Sequence, residues 1–64
     1  MKNSKLTSVK ILESLYETFK LKTVNTDMNL QKLTNRSVNL YLTDEIFKNT
    51  IDNHTTLFVS SSKL

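Results

Sequence analysis

Apolar and polar positions change their spacing partway through the first half of the chain. Thr7-Ser8-Val9-Lys10-Ile11 alternates, which sets Val9 and Ile11 on one face and Ser8 and Lys10 on the other. Leu15 and Phe19 follow at i and i+4, the spacing of one helix face. A second helical run places Leu30, Leu33, Ser37, Val38 and Tyr41 on one side. A period of two followed by two stretches near 3.6 predicts strand, helix, helix. A five-residue strand cannot satisfy its own backbone groups and needs a partner. No second alternating run of similar quality lies nearby, so the expected partner is the same strand of another copy.

Start and stop residues refine this outline. Residues 1–5 read as a flexible basic arm and residues 6–12 as the strand. Ser14-Leu15-Tyr16-Glu17 has the capping-box pattern, although a start one or two residues earlier is equally open. The first helix is expected to run to about Val24 or Asn25, and Asn25-Thr26-Asp27 to break it. The chain has no glycine, so Asp27 is expected to take the left-handed conformation that ends many helices. Asn29 is the predicted N-cap of the second helix, Leu30 to about Leu42. A short third helix is expected over 43–53. Thr43 would cap it, Asp44 and Glu45 would complement its dipole, and Ile46, Phe47 and Ile51 would form its apolar face. Residues 54–64, with Leu57-Phe58-Val59 and three serines, read as a tail.

Size sharpens the need for a partner. A chain of 64 residues buries only about 60% of the surface its unfolded form exposes, and so is marginally stable alone. Disulfides, a metal or oligomerisation are the usual remedies. Cysteine is absent and His54 is the single histidine, which closes the first route and leaves no structural zinc set. Oligomerisation remains, and it agrees with the unpaired strand. The apolar stripe of Val9, Ile11, Leu15, Phe19, Leu33, Val38 and Tyr41 is therefore read as the core of a dimer.

Charge adds direction. In residues 1–22, Lys2, Lys5, Lys10, Lys20 and Lys22 against Glu13 and Glu17 leave +3. The middle third is +1 and residues 43–64 are −1, within a net charge of +3. A dimer that brings two basic ends together doubles the local field felt by an anionic partner. Lys32 lies in the first turn of the second helix, where a cation opposes the dipole. With the free amides of Leu30 and Gln31 it would make a phosphate site. Catalysis finds little support: no serine has an evident base, and adjacent Asp44 and Glu45 point about 100° apart on a helix. Without glycine no phosphate-cradling loop exists. The expectation is no enzyme and no cofactor. The longest apolar runs are three residues, and no secretory segment follows Met1-Lys2-Asn3-Ser4-Lys5, so a cytoplasmic protein without a membrane partner is expected.

The order of short strand, helix, tight break, polar cap and second helix resembles the ribbon-helix-helix DNA-binding proteins, the superfamily of the Arc and methionine repressors. The resemblance rests on Thr7-Ser8-Val9-Lys10-Ile11, on Glu13 to Phe19, on Asp27-Met28-Asn29 and on Leu33 to Tyr41. It covers residues 6–42. Leu12 departs from it, standing where a proline or small polar cap is common, and so does Asp27, where glycine is frequent. The resemblance implies a mostly α fold with one short strand, an intertwined homodimer joined by a two-stranded antiparallel ribbon. The short third helix over 43–53 is an addition to that core. It also implies that Leu6, Ser8 and Lys10 read bases in the major groove of double-stranded DNA. Phosphate contacts then fall to Lys5, Asn29, Leu30, Gln31 and Lys32.

The expected function is thus a dimeric, sequence-specific repressor, able to assemble to higher order on DNA. Richness in Asn, Thr, Lys and Ser, without Gly or Pro, suggests an AT-rich phage or plasmid source. The alternative, from another class, is a protein-binding adaptor or antitoxin that uses the same dimer scaffold and binds its partner through residues 43–64.

Overall fold

A computed structural model describes residues 3–57. Three helices follow one another: α1, Glu13–Thr23, α2, Leu30–Thr43, and α3, Glu45–Asn53. Among the described residues there is no strand. The predicted ribbon-helix-helix fold is corrected here: residues 3–12 carry no helix, strand or turn, so the element that defines a ribbon is missing. The physical reason is the one that made the strand conditional. Five alternating residues hold an extended ladder only against a partner, and the described residues supply none.

Local chemistry explains where each helix begins. α1 starts at Glu13, ahead of the capping box, and its N-cap Leu12 makes no side-chain cap bond. The Tyr16 N–H donates to the Leu12 carbonyl at 3.0 Å, and the Glu13 carboxylate lies in the first turn, where the helix dipole favours it. α2 starts as expected. The Asn29 side chain accepts from the Lys32 N–H at 2.8 Å, with Asn29 itself extended at φ −143°. Asn29→Ala is expected to lower stability by about 1 kcal/mol, read as a lower melting temperature with otherwise native helicity.

The break between α1 and α2 is built differently from the expectation. No non-glycine residue among those described has positive φ, so Asp27 is not left-handed. Thr26 closes the turn instead. Its N–H and hydroxyl both donate to the Thr23 carbonyl, at 3.0 and 2.9 Å, and its Oγ1 accepts from the Met28 N–H at 3.1 Å. A hydroxyl that donates and accepts at once satisfies the last carbonyl of α1 and the Met28 amide without an αL residue. The Lys32 ammonium then donates to the Asp27 carbonyl at 2.8 Å and ties the turn to the start of α2.

The corner between α2 and α3 turns on one residue. Asp44, not Thr43, caps α3, and its carboxylate accepts from the Ile46 and Phe47 N–H groups at 3.0 and 3.1 Å. Thr43 bonds backward, to the Asn39 carbonyl, because it still belongs to α2. α3 packs on α2, whereas α1 packs on neither. The radius of gyration is 13.6 Å, against about 11 Å for a compact chain of this length. No described residue is fully buried. Leu15, Phe19, Met28, Leu30, Tyr41 and Phe47 are half-buried, and the other large apolar side chains are exposed.

Candidate nucleic-acid interface

Residues 3–12 present their side chains to solvent along the whole segment. Leu6 is 98% exposed and Val9 73% exposed, so the two sides of the alternating run do not differ as the pattern suggested. Lys5, Ser8 and Lys10 lie on this segment, ahead of α1. Among the described residues no hydrogen bond ties them to the start of α2. The structure therefore leaves the two halves of the expected DNA surface separate: a basic extended segment, and a helix end.

At that helix end the arrangement is partly as expected. The amides of Leu30 and Gln31 make no hydrogen bond among the described residues, and they share the first turn with Lys32. The Asn29 carboxamide occupies the Lys32 amide, so two N–H groups and not three remain for an anion. The Lys32 ammonium is already committed to the Asp27 carbonyl. That bond explains why a cation is tolerated against the dipole: a backbone oxygen two residues before the N-cap offsets the unfavourable field.

Cations elsewhere divide into two groups. Lys48 Nζ pairs with Asp52 Oδ2 at 2.8 Å, and this is the one ion pair among the described residues. Lys5, Lys10, Lys20, Lys22, Lys32 and Arg36 have no carboxylate in contact there. Lys20 lies over the Tyr16 ring at 5.4 Å, a contact that leaves its ammonium open to a further anion. All six precede residue 37, so the charge asymmetry read along the chain persists as a field in space.

The expected dimer-core residues fall into three places. Leu15 and Phe19 share one face of α1, both half-buried. Leu33, Val38 and Tyr41 lie on α2, where Val38 and Tyr41 line the groove against α3 while Leu33 is outside it and 39% exposed; Val38 is 53% exposed. Val9 and Ile11 stand apart from both on the extended segment. Ser37, Val38, Tyr41, Phe47 and Ile51 line a groove of about 210 Å³ between α2 and α3, and its exposed lining is apolar.

One cluster went unread in the sequence. The Tyr41 hydroxyl donates to Asp52 Oδ1 at 2.7 Å, Lys48 donates to the other carboxylate oxygen, and Lys48 lies over the Tyr41 ring at 5.6 Å. The i, i+4 spacing of Lys48 and Asp52 was a visible clue, whereas Tyr41 joins only once the corner folds α3 back. The Lys48 and then the Tyr41 hydrogen bonds hold the Asp52 carboxyl below its ordinary value of 3.8. The bond to Asp52 raises Tyr41 above 10.0 and Lys48 above 10.5.

The signs follow from linkage. The contribution of Asp52 is present above 3.8 and is lost as pH falls through its lowered value. Those of Tyr41 and Lys48 are present below 10.0 and 10.5 and are lost as pH rises through their raised values. An NMR titration is expected to show the Tyr41 ring resonances unchanged between these limits and moving outside them. Asp52→Asn should abolish the acid step, and an acid step that survives in that variant would assign it to another group. Comparison with protein-family models, with curated proteins and with solved structures gave no match for this chain.

Proposed function

We propose that the protein is a small regulator that binds double-stranded DNA and works as a pair of copies, with repression of transcription as the outcome of binding. The observation that supports this reading is the set of six cations before residue 37 that lack a carboxylate partner among the described residues. A row of uncompensated Lys and Arg side chains gains most from a polyanion, because each phosphate contact releases condensed counterions. Residues 3–12 meet the duplex as an extended basic segment carrying Lys5 and Lys10, with Leu6 and Ser8 beside them, and not as a paired ribbon. The start of α2 adds the Leu30 and Gln31 amides as phosphate donors. On this reading the protein acts in the cytoplasm, where its DNA is.

Selection from random duplex DNA tests the proposal. Enrichment of one sequence, weakened by Ser8→Ala or Lys10→Ala, is the expected result. Retention of no duplex at low ionic strength overturns it. The adaptor reading then takes its place, favoured by apolar side chains such as Leu42 and Ile46 that stand 76% and 79% exposed on the C-terminal half.

A further inference from the structure

The corner between α2 and α3 interrupts the helical ladder over very little chain. The Asp44 N–H donates to the Leu40 carbonyl at 2.8 Å, and the Lys48 N–H donates to the Asp44 carbonyl at 2.9 Å. Both are the i to i−4 bonds of an ordinary helix. Between them only the amides of Glu45, Ile46 and Phe47 fail to meet the carbonyls of Tyr41, Leu42 and Thr43. The Asp44 carboxylate takes the Ile46 and Phe47 amides instead. The backbone leaves the helical region at Asp44, with φ −122° and ψ 107°. A helix needs about −63° and −42°, so the difference is chiefly a rotation of ψ by about 150°. The chain has no proline or glycine to oppose that rotation.

We infer that Asp44 is a hinge with two settings, the bent one of this structure and a straight one in which residues 30–53 form a single helix. The Tyr41 hydroxyl on Asp52 is the latch of the bent setting. This device is separate from DNA binding and does not depend on it.

Two further observations support a hinge over a fixed corner. The first is the latch. Tyr41 and Asp52 would stand about 16 Å apart along a straight helix, so their 2.7 Å hydrogen bond exists only while the corner is bent. The Lys48–Asp52 pair spans one turn of α3 and survives in both settings. The second is that the apolar positions serve either arrangement. In the bent one, Phe47 and Ile51 line the groove with Val38 and Tyr41. In a single helix, Leu33, Leu40 and Phe47 fall at steps of seven, with Leu30 and Ile51 on the same stripe. The bent setting leaves that stripe unfinished, with Leu33 and Leu40 exposed. The two arrangements therefore compete for Phe47 and Ile51, as two packings of one switching element do. Straightening divides the groove, because Val38 and Ile51 end about 20 Å apart along the axis.

Distances between paired nitroxide labels test this. The chain has no cysteine, so Gln31→Cys and Asn53→Cys carry the labels alone, at two exposed sites. In a single helix these sites stand about 33 Å apart. With Asp44 in place the labelled chain is expected to show a clearly shorter separation. Asp44→Ala frees the Ile46 and Phe47 amides and should shift the population to near 33 Å, with helicity by circular dichroism undiminished. Asp44→Asn keeps a capping oxygen and should hold the shorter separation. Tyr41→Phe removes the latch alone and should raise the fraction near 33 Å. A separation already near 33 Å with Asp44 in place overturns the inference, as does an Asp44→Ala chain that keeps the shorter one. Loss of helicity in Asp44→Ala overturns it in favour of a corner whose failure unravels α3. No DNA is present in the experiment, so failure of DNA binding and failure of the hinge are read separately.

Discussion

Phe19→Ala is expected to weaken association of the chain with its own copies by a factor of about 100 or more. Truncating a phenylalanine in a packed site costs about 3–5 kcal/mol, and each 1.4 kcal/mol is tenfold in an equilibrium constant. Phe19→Leu keeps an apolar side chain of similar reach and should restore much of the affinity. Linkage gives a second readout. If the folded chain exists chiefly as a pair, its melting temperature rises with protein concentration. Phe19→Ala should lower the melting curve most at low concentration. A wild-type melting temperature constant over a roughly hundredfold concentration range would remove association from the account of stability.

Salt supplies the other large effect. A pair of copies that contacts about six phosphates should show a slope of log affinity against log salt near −5. Lys5→Ala removes two cations from the pair and should flatten that slope by about two, weakening all sequences about equally. Lys48→Ala is the internal control. Its ammonium is held by Asp52, so the slope should stay as it is while the corner between α2 and α3 loosens. An equal change in slope for Lys5 and Lys48 variants would mean that net charge alone, and not the basic segment, attracts the duplex.

The helices were legible because each rests on information carried within a few residues. Asn29 is an N-cap in sequence and in structure, and α2 begins at Leu30 on both counts. Of the expected face, Val38 and Tyr41 line the groove against α3, while Leu33 does not. The strand was not legible in the same sense. Alternation over residues 7–11 states a preference, but a ladder needs a second strand, and that is a property of an assembly and not of the chain. The Thr26 turn escaped notice because the search for a helix stop looked for positive φ, while a hydroxyl with two roles ended α1 by hydrogen bonding. Thr43 and Asp44 are both capping residues. The carboxylate, with two acceptor oxygens and a full charge against the dipole, took the position.

The candidate site was legible as charge and not as geometry. Counting Lys and Arg along the chain marked its first half as basic, and among the described residues before residue 37 those side chains have no carboxylate partner. What the count does not contain is Lys32 bending back to Asp27, or Tyr41 meeting Asp52 eleven residues later. Both contacts depend on how a turn directs the chain, and in each case the turn is closed by a single polar side chain.

Asp44 closes the corner between α2 and α3 entirely with local contacts. Its N–H donates to the Leu40 carbonyl, its own carbonyl accepts from Lys48, and its carboxylate accepts from Ile46 and Phe47. Every one of those partners lies within four residues, so the bend costs little chain entropy to close and can form on the microsecond scale of local structure. The groove between α2 and α3 is then assembled from contacts local to each newly made chain. Residue 44 therefore joins two helices without any contact distant in sequence, so that corner does not wait on the rest of the chain.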